Sequence, residues 1–351
     1  MNKPIYDFTT KNTSFLDVHY KLKDAGIKNN AFHLVLFNPE LQGVDPYAED
    51  LTDEQKQAII KECSENIFYY LREVLRVKPA GVERHMVHMD IGFLSALYCF
   101  TQNTTVYLMK PSFCHNTTDA LSMLSHSFKF GNGCEDFTFI GDTRSIPRRR
   151  IRSMEDMVTN GLPSYMVSKN IVGDNFDKDK VTPNNIDSYV DPVTNNAVVT
   201  SPSPRSKQEA ENIGRGLSAN YVYIDEFEHM KYPDVLIQSS LAVRTALGVN
   251  AKKYGLNSGM VITSDLGKLS DENCRRSLKI STHLVRWRLE MLDMPVNEFL
   301  AYVKKHSDYN GVCVCFNYKE LGLDEKWFKH SCQLLGGIPD RIDRQLLLRR
   351  V

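Results

Sequence analysis

The sequence predicts an α/β chain built on a central, mainly parallel sheet flanked by helices. Three observations carry that prediction. Short apolar runs of strand length (residues 104–109, 137–140, 221–224 and 260–263) alternate with helical patterns, the order that produces parallel βαβ units. Apolar residues make up 42%, charged residues 25% and aromatics 10%, the composition of an ordinary globular protein and not of a collagenous or disordered one. At 351 residues the chain is long enough to bury a sizeable core, as two domains or one large unit. Forty-three Lys and Arg balance forty-three Asp and Glu, so the formal net charge is zero. That excludes a protein that coats nucleic acid through bulk charge, and it leaves a local basic patch open. No apolar run is long enough to span a bilayer, and the N-terminus, Met1 to Asp7, carries no pattern of a secretory signal.

The elements follow in order. Residues 1–50 read as loops around one strand, Phe32 to Phe37, and then a turn-rich segment, Asn38 to Pro46. Thr52 with Gln55 three residues on makes a capping box. Ile60, Cys63, Ile67, Leu71 and Val74 recur behind it at helical spacing, so one helix is expected to end before Pro79. A helix over Gly92 to Phe100 leads into a strand over Thr104 to Met109, a polar turn over Lys110 to Thr118, and a helix through Ala120 and Leu124. Phe137 to Ile140 is the next strand. Residues 141–220, rich in Asn, Asp, Pro and Ser, read as a long irregular stretch. Order resumes with a strand at Tyr221 to Ile224, a helix around Val235 to Leu247, a strand at Met260 to Thr263 and a charged helix over about 271–292. The eight cysteines are scattered without any C-x-x-C pair, and Cys313 and Cys315 fall in an alternating, strand-like run, so buried thiols are expected and not a zinc site.

Chemistry concentrates at three places. The run Tyr221-Val222-Tyr223-Ile224-Asp225-Glu226 puts two carboxylates at the carboxyl tip of a buried strand, where α/β proteins bind ligands. There Asp225 can hold Mg²⁺, and Glu226 can orient and deprotonate a water that attacks a γ-phosphate, as in a Walker B pair. The same run also reads as a plain strand with a charged turn. One unit later, Met260-Val261-Ile262-Thr263-Ser264 ends in hydroxyls that can sense a γ-phosphate and couple its loss to movement; a plain strand–turn is the alternative. The third place is the phosphate cradle. No G-x-x-x-x-G-K-[ST] exists, and Gly267-Lys268-Leu269-Ser270 is excluded by its spacing and its place after the acidic strand. The slot belongs to the strand–turn–helix over residues 104–125, where amides of His115, Asn116, Thr117 and Thr118 can bind phosphate and Thr117 can offer a hydroxyl to Mg²⁺. The neutralising lysine is missing there, since Lys110 comes too early. Thr117 and Asp225 are then expected at adjacent strand tips, near enough to share one ion.

With the three elements in this order, the chain resembles the ATPase domain of a tailed-phage terminase large subunit, the DNA-packaging motor. Asn38 to Pro46, the helix ending Tyr69 to Val74, and Gly92 to Phe100 carry part of the likeness. Ser201-Pro202 leading to Gly214-Arg215-Gly216, and Val261 to Ser264 at the place of the coupling motif, carry the rest; it covers about residues 30–345. The resemblance implies a P-loop NTPase-like fold of the ASCE/RecA type, with ATP and Mg²⁺ as nucleotide and cofactor. It implies hydrolysis coupled to translocation of double-stranded DNA into a procapsid, by a homo-oligomeric ring in the cytoplasm of an infected bacterial host. A portal and a small terminase subunit are the implied partners, and Arg215 is an implied trans-acting finger or sensor. The implied division is a segment at 1–50 packed on the core, an ATPase domain at 51–330 and a linker or tail at 331–351. The resemblance implies that the family's nuclease domain is expected to be absent or to be a separate chain.

Two departures matter. Ser112 and Phe113 stand where the family carries Arg-Gln, and His115, Asn116 and Thr117 stand where it carries Gly-Lys-Thr. The departures keep a second hypothesis open, a catalytically impaired subunit with a structural or DNA-binding role beside another chain. A helicase-like nucleic-acid ATPase is the third. Arg144, Arg148, Arg149, Arg150 and Arg152 form a basic cluster suited to DNA phosphates through forked hydrogen bonds, or else a solvated loop paired with Glu155 and Asp156.

Overall fold

The computed structural model describes residues 3–78, 82–133, 135–168, 187–253 and 258–349. The chain forms two units: Met1–Asp90 with Leu121–Glu135 and Ile151–Ala197, and Ile91–Ala120 with Asp136–Arg150 and Val198–Val351.

In the first unit, β1 (Ile5–Tyr6) pairs antiparallel with β2 (Val35–Leu36), and α1 (Thr13–Asp24) lies between them in the chain. The expected strand over 32–37 shortens to β2, because Phe32–Leu34 closes into a 3₁₀ turn. α2 (Asp53–Glu65) starts with the expected capping box: Gln55 N donates to Thr52 Oγ1 at 3.2 Å, and Thr52 N donates to Gln55 Oε1 at 3.0 Å. The expected helix is broken once, at Asn66, and helical chain resumes over Ile67–Tyr69 and, as a π-helix, Tyr70–Val74. Asn66 leaves helical geometry, and its side-chain oxygen accepts from Tyr69 N at 3.1 Å, so it caps a new turn as it ends the old one. β3 (Arg76–Val77) and β4 (His85–Met86) then pair antiparallel.

The second unit opens with α3 (Ile91–Thr101), β5 (Thr105–Met109) and the head of α4 (Asn116–Phe130), followed by β6 (Asp136–Gly141) and the head of α5 (Ser145–Asn160). After β7 (Ser188–Val190), in the first unit, come β8 (Ala197–Pro202), α6 (Lys207–Gly216), β9 (Tyr221–Ile224), α7 (Pro233–Lys253), β10 (Gly259–Ser264) and α8 (Glu272–Ser281). β11 (Val285–Arg286), α9 (Val296–His306), β12 (Gly311–Cys315), α10 (Glu325–Leu334) and α11 (Pro339–Gln345) complete it.

The strands of this unit lie in the order β11-β12-β5-β10-β9-β6-β8. Every pair from β11 to β6 is parallel, so their carboxyl ends share one edge. β10 is inserted between β5 and β9, with Thr263 level with Leu108 and Val261 level with Tyr223. This is the helix-flanked, mainly parallel sheet that the sequence predicts. All four residues of β9 and all six of β10 are buried, as in parallel strands covered on both faces. Tyr107, Val222, Ile224, Met260 and Ile262 form one core with Leu236 and Ile237 of α7 and Cys274 and Leu278 of α8. Gly214 lets α6 lie close on α7: a Cβ there would stand 2.0 Å from Ser239 Oγ.

Three stretches differ from expectation. Residues 141–220 hold α5, β7, β8 and α6 where irregular chain is expected; residues 169–186 lie outside the described residues. α5 buries Ile146, Ile151, Met154, Met157 and Val158, a stripe that the arginines obscure, and Pro147 sits in the first turn, where proline is tolerated. The helix expected over 271–292 stops at Ser281, because Val285 and Arg286 pair with Val312 and Cys313 of β12. At the C-terminus, α11 buries Arg344, and Leu346 beyond it is also buried. Seven of the cysteines are free thiols, five of them buried; Cys134 lies outside the described residues.

Candidate functional site

The carboxyl edge of the sheet brings together the ends of β5, β10 and β9. Asp225 follows β9 directly and is 2% exposed, its amide held by Ile140 O of β6 at 2.9 Å. Its Oδ1 accepts three hydroxyls: Tyr223 at 2.8 Å, Thr263 at 2.8 Å and Thr117 at 3.4 Å. Its Oδ2 accepts from Arg150 Nε of α5. Burial pushes the Tyr223 phenol well above its ordinary pKa, so the phenol stays a donor. For Arg150, burial pulls the pKa down, but Asp225 first and Glu226 further down the order outweigh it, and the net shift is upward.

The turn between β5 and α4 is the second component. Phe113 and His115 both take left-handed backbone, at φ 69° and 60°, although neither is glycine. These two left-handed residues give the turn a shape that glycine adopts more easily. Asn116 Nδ2 donates to Lys110 O at 3.2 Å, while its buried Oδ1 has no partner among the described residues. Lys110 is fully buried, and its Nζ lies 2.5 Å from the Asp119 carboxylate. Ser112 ties the turn outward: its hydroxyl donates to Asp265 Oδ2 at 2.7 Å, and its amide to Gln345 O at the end of α11 at 2.8 Å. Arg344 Nη1 reaches Leu266 O at 3.5 Å beside it.

Glu226, also left-handed at φ 53°, is the more exposed of the two acids and lies 3.8 Å from Arg150 Nη2. Burial, and then the charge of Asp225, raise its pKa above the ordinary value. A further carboxyl pair lies behind it. Ser264 Oγ donates to Glu228 Oε2, and Ser264 Oγ lies 2.8 Å from Asp265 O. Burial, and next the charge of Asp265, push Glu228 well above the ordinary carboxylate range, which favours its protonated form.

The structure thus brings Thr117, Asp225, Glu226 and Thr263 to one edge. The tips of β5 and β9 are not adjacent as expected: β10 lies between them, and its Thr263 bridges the gap. Ser264 turns to Glu228 instead of Asp225. Thr118 sits half-buried in the first turn of α4, with no hydrogen bond from its hydroxyl among the described residues. Arg215 is 68% exposed in the last turn of α6 and pairs with Glu211 at 3.5 Å; among the described residues it makes no hydrogen bond or ion pair to the turn or to Asp225. Four of the five arginines lie on helix α5 and Arg144 lies in the turn just before it: Arg144, Arg149 and Arg152 are exposed, Arg148 is half-buried, and Arg150 is engaged by the acids. Asp156 pairs with Arg84 at 2.7 Å. Sequence reasoning missed the Arg150 contact to Asp225, the Lys110–Asp119 pair and the Glu228–Asp265 pair. Only the second had a signal, since Asp119 falls in the first turn of the helix that follows the turn.

Solved structures similar to the chain include two phage large terminases. The HK97 bacteriophage large terminase aligns with a TM-score of 0.47 and 11% identity, covering 81% of this chain and 54% of that one. The large terminase ATPase domain of Thermus phage P74-26 aligns with a TM-score of 0.41 and 10% identity, covering 73% of this chain and 93% of that one. The chain therefore spans about 54% of the length of the HK97 protein. No family model and no curated protein matches the chain. No helix among the described residues is long and apolar enough to cross a membrane.

Proposed function

We propose that this chain is a motor-type ATP hydrolase of the DNA-packaging kind. The observation that carries the proposal is the meeting of Thr117 Oγ1 and Asp225 Oδ1 at 3.4 Å, across a strand that adds Thr263 to the same oxygen. A hydroxyl at the head of a helix and a carboxylate at an acidic strand tip are hard oxygen donors that suit Mg²⁺. The unpartnered Asn116 Oδ1 is a further oxygen next to Thr117 in the chain. The ion, when bound, supplies neutralisation of the charge that develops on the transferring phosphoryl group.

The remaining work falls to the chain. Amides of residues 115–118 hold phosphate oxygens at the head of α4. Glu226 takes a proton from a water as that oxygen attacks the γ-phosphorus and the bond to the bridging oxygen breaks. Thr263, already bonded to Asp225, registers the change, and Ser264 passes it to Glu228. Double-stranded DNA lies against Arg144, Arg148, Arg149 and Arg152, and Arg215 serves a neighbouring copy in the ring. A portal, a small terminase subunit, a separate nuclease chain and the host cytoplasm complete the proposal, which for these rests on the order of the motifs along the chain.

A specific observation favours a second reading, the impaired subunit. The loop lysine is absent, Lys110 is held by Asp119, and Arg150 is held by Asp225. Losing one transition-state donor of this kind costs about 3 kcal/mol, or roughly a hundredfold in rate. DNA-stimulated ATP hydrolysis by wild type, Glu226→Gln and Asn116→Lys separates the two. Turnover in wild type that Glu226→Gln abolishes supports the motor. Turnover that appears only in Asn116→Lys supports the impaired subunit, and turnover indifferent to Glu226→Gln refutes the assignment of the base.

A further inference from the structure

Asp225 is crowded by the chain's own groups. Three hydroxyls converge on Oδ1, and the Arg150 guanidinium takes Oδ2 while reaching toward Glu226 Oε1 at 3.8 Å. Arg150 is the only side chain among the described residues that forms an ion pair with both acids. Its own side chain is 19% exposed, so the pair is partly shielded from water and weakly screened. A dication and a guanidinium at one carboxylate repel each other, and Arg150 occupies Oδ2, the oxygen that the three hydroxyls leave to it. The hydroxyls are neutral and can reorient; the guanidinium is charged and must move.

We infer that Arg150 is a built-in competitor of the divalent cation at Asp225, so that metal binding to this site is a displacement of Arg150 and not an addition. The inference rests on the proposed role of Asp225 in holding the ion. It assigns Arg150 away from the DNA-facing cluster in which its neighbours lie. It also gives the released guanidinium a destination, because the loop that lacks a lysine is the place where a phosphate needs a cation. In such an equilibrium the apparent metal affinity is the intrinsic affinity reduced by the fraction of molecules in which Arg150 has left.

The test is a Mn²⁺ titration of the full chain without nucleotide, followed by electron paramagnetic resonance, on wild type, Arg150→Met, Asp225→Asn and the double variant. Arg150→Met is expected to bind Mn²⁺ at least tenfold tighter than wild type, and Asp225→Asn to remove the site in both backgrounds. Lys305→Ala, a remote surface cation, is expected to leave the affinity unchanged and controls for general charge. A rise in affinity is a result that mere loss of a structural ion pair does not give. Equal affinity in wild type and Arg150→Met, with Asp225→Asn still abolishing it, overturns the competition and leaves the metal role of Asp225 intact. If neither protein binds Mn²⁺ through Asp225, the metal role and the competition fall together. Wild type gives an independent reading that needs no variant to fold. Saturating Mn²⁺ should accelerate phenylglyoxal modification of Arg150, read by peptide mass spectrometry, while the buried Arg344 stays protected. No acceleration at saturation overturns the inference.

Discussion

Acidification should loosen the first unit through two histidines, His33 buried and His126 half-buried. His126 is held neutral, with Nε2 at 2.7 Å from Cys63 O, and burial lowers its pKa from 6.5 to about 4. His33, with Nε2 at 3.0 Å from Phe15 O, is likewise lowered from 6.5 to about 4, first by burial and also by the neighbouring Arg72. The unfolded chain takes up protons on both as pH falls below 6.5, while the folded chain does so only near 4. Each histidine therefore contributes stability that is present above pH 6.5 and is lost as pH falls through that window. The slope is about 1.4 kcal/mol per pH unit for each histidine, and the loss at pH 5 is about 2 kcal/mol each relative to pH 8. His126→Gln, which keeps a donor for Cys63 O, should halve the histidine part of the slope. Hydrogen exchange of peptides from residues 53–75, followed between pH 5 and 7.5 and corrected for intrinsic rates, reads it directly. A variant whose pH slope equals that of wild type would refute the reasoning.

Two further outcomes follow from the site. Glu228 is raised well above its ordinary 4.5, so the unfolded chain releases that proton before the folded chain does, and stability falls as pH rises above about 4.5. Glu228→Gln should therefore gain on wild type in urea midpoint as the pH goes from 5 to 8; an advantage that shrinks over that range contradicts a protonated Glu228. At the turn, His115→Gly removes a left-handed strain of about 1 kcal/mol and adds a comparable unfolded-state entropy, so stability should stay within about 1 kcal/mol of wild type. His115→Val, β-branched at the same φ of 60°, should lose about 2 kcal/mol, and equal melting temperatures for the two variants would show that the backbone there is not left-handed in solution.

The sheet was legible because its strands are uninterrupted apolar runs, which only a doubly covered parallel sheet needs. Asp225 was legible for the same reason: it is the first charge after four buried residues. Thr117 was placed by the turn–helix junction, although its distance from Asp225 depends on how β10 spaces the strands, and no local pattern reports that. Arg150 was not legible. Its guanidinium belongs to a contact 75 residues away along the chain, and in the sequence it is one of five similar arginines. α5 was hidden for a related reason, since its buried stripe runs through residues whose neighbours are charged. Asn66 shows the opposite failure. A helical period continues across it and the chain is helical on both sides, but at Asn66 itself a side-chain cap breaks the helix in two, which periodicity does not report.

The bond from Ser112 N to Gln345 O makes the last helix part of the turn it touches. The same end also packs Leu348 on the core around Tyr107 and Ile262, so a load applied near residue 349 reaches the turn that would hold phosphate and the sheet beneath it together, through Ser112 N, through Arg344 on Leu266 O and through Leu348. A surface anchor or an optical-trap handle for this chain is therefore better placed at a loop of the first unit.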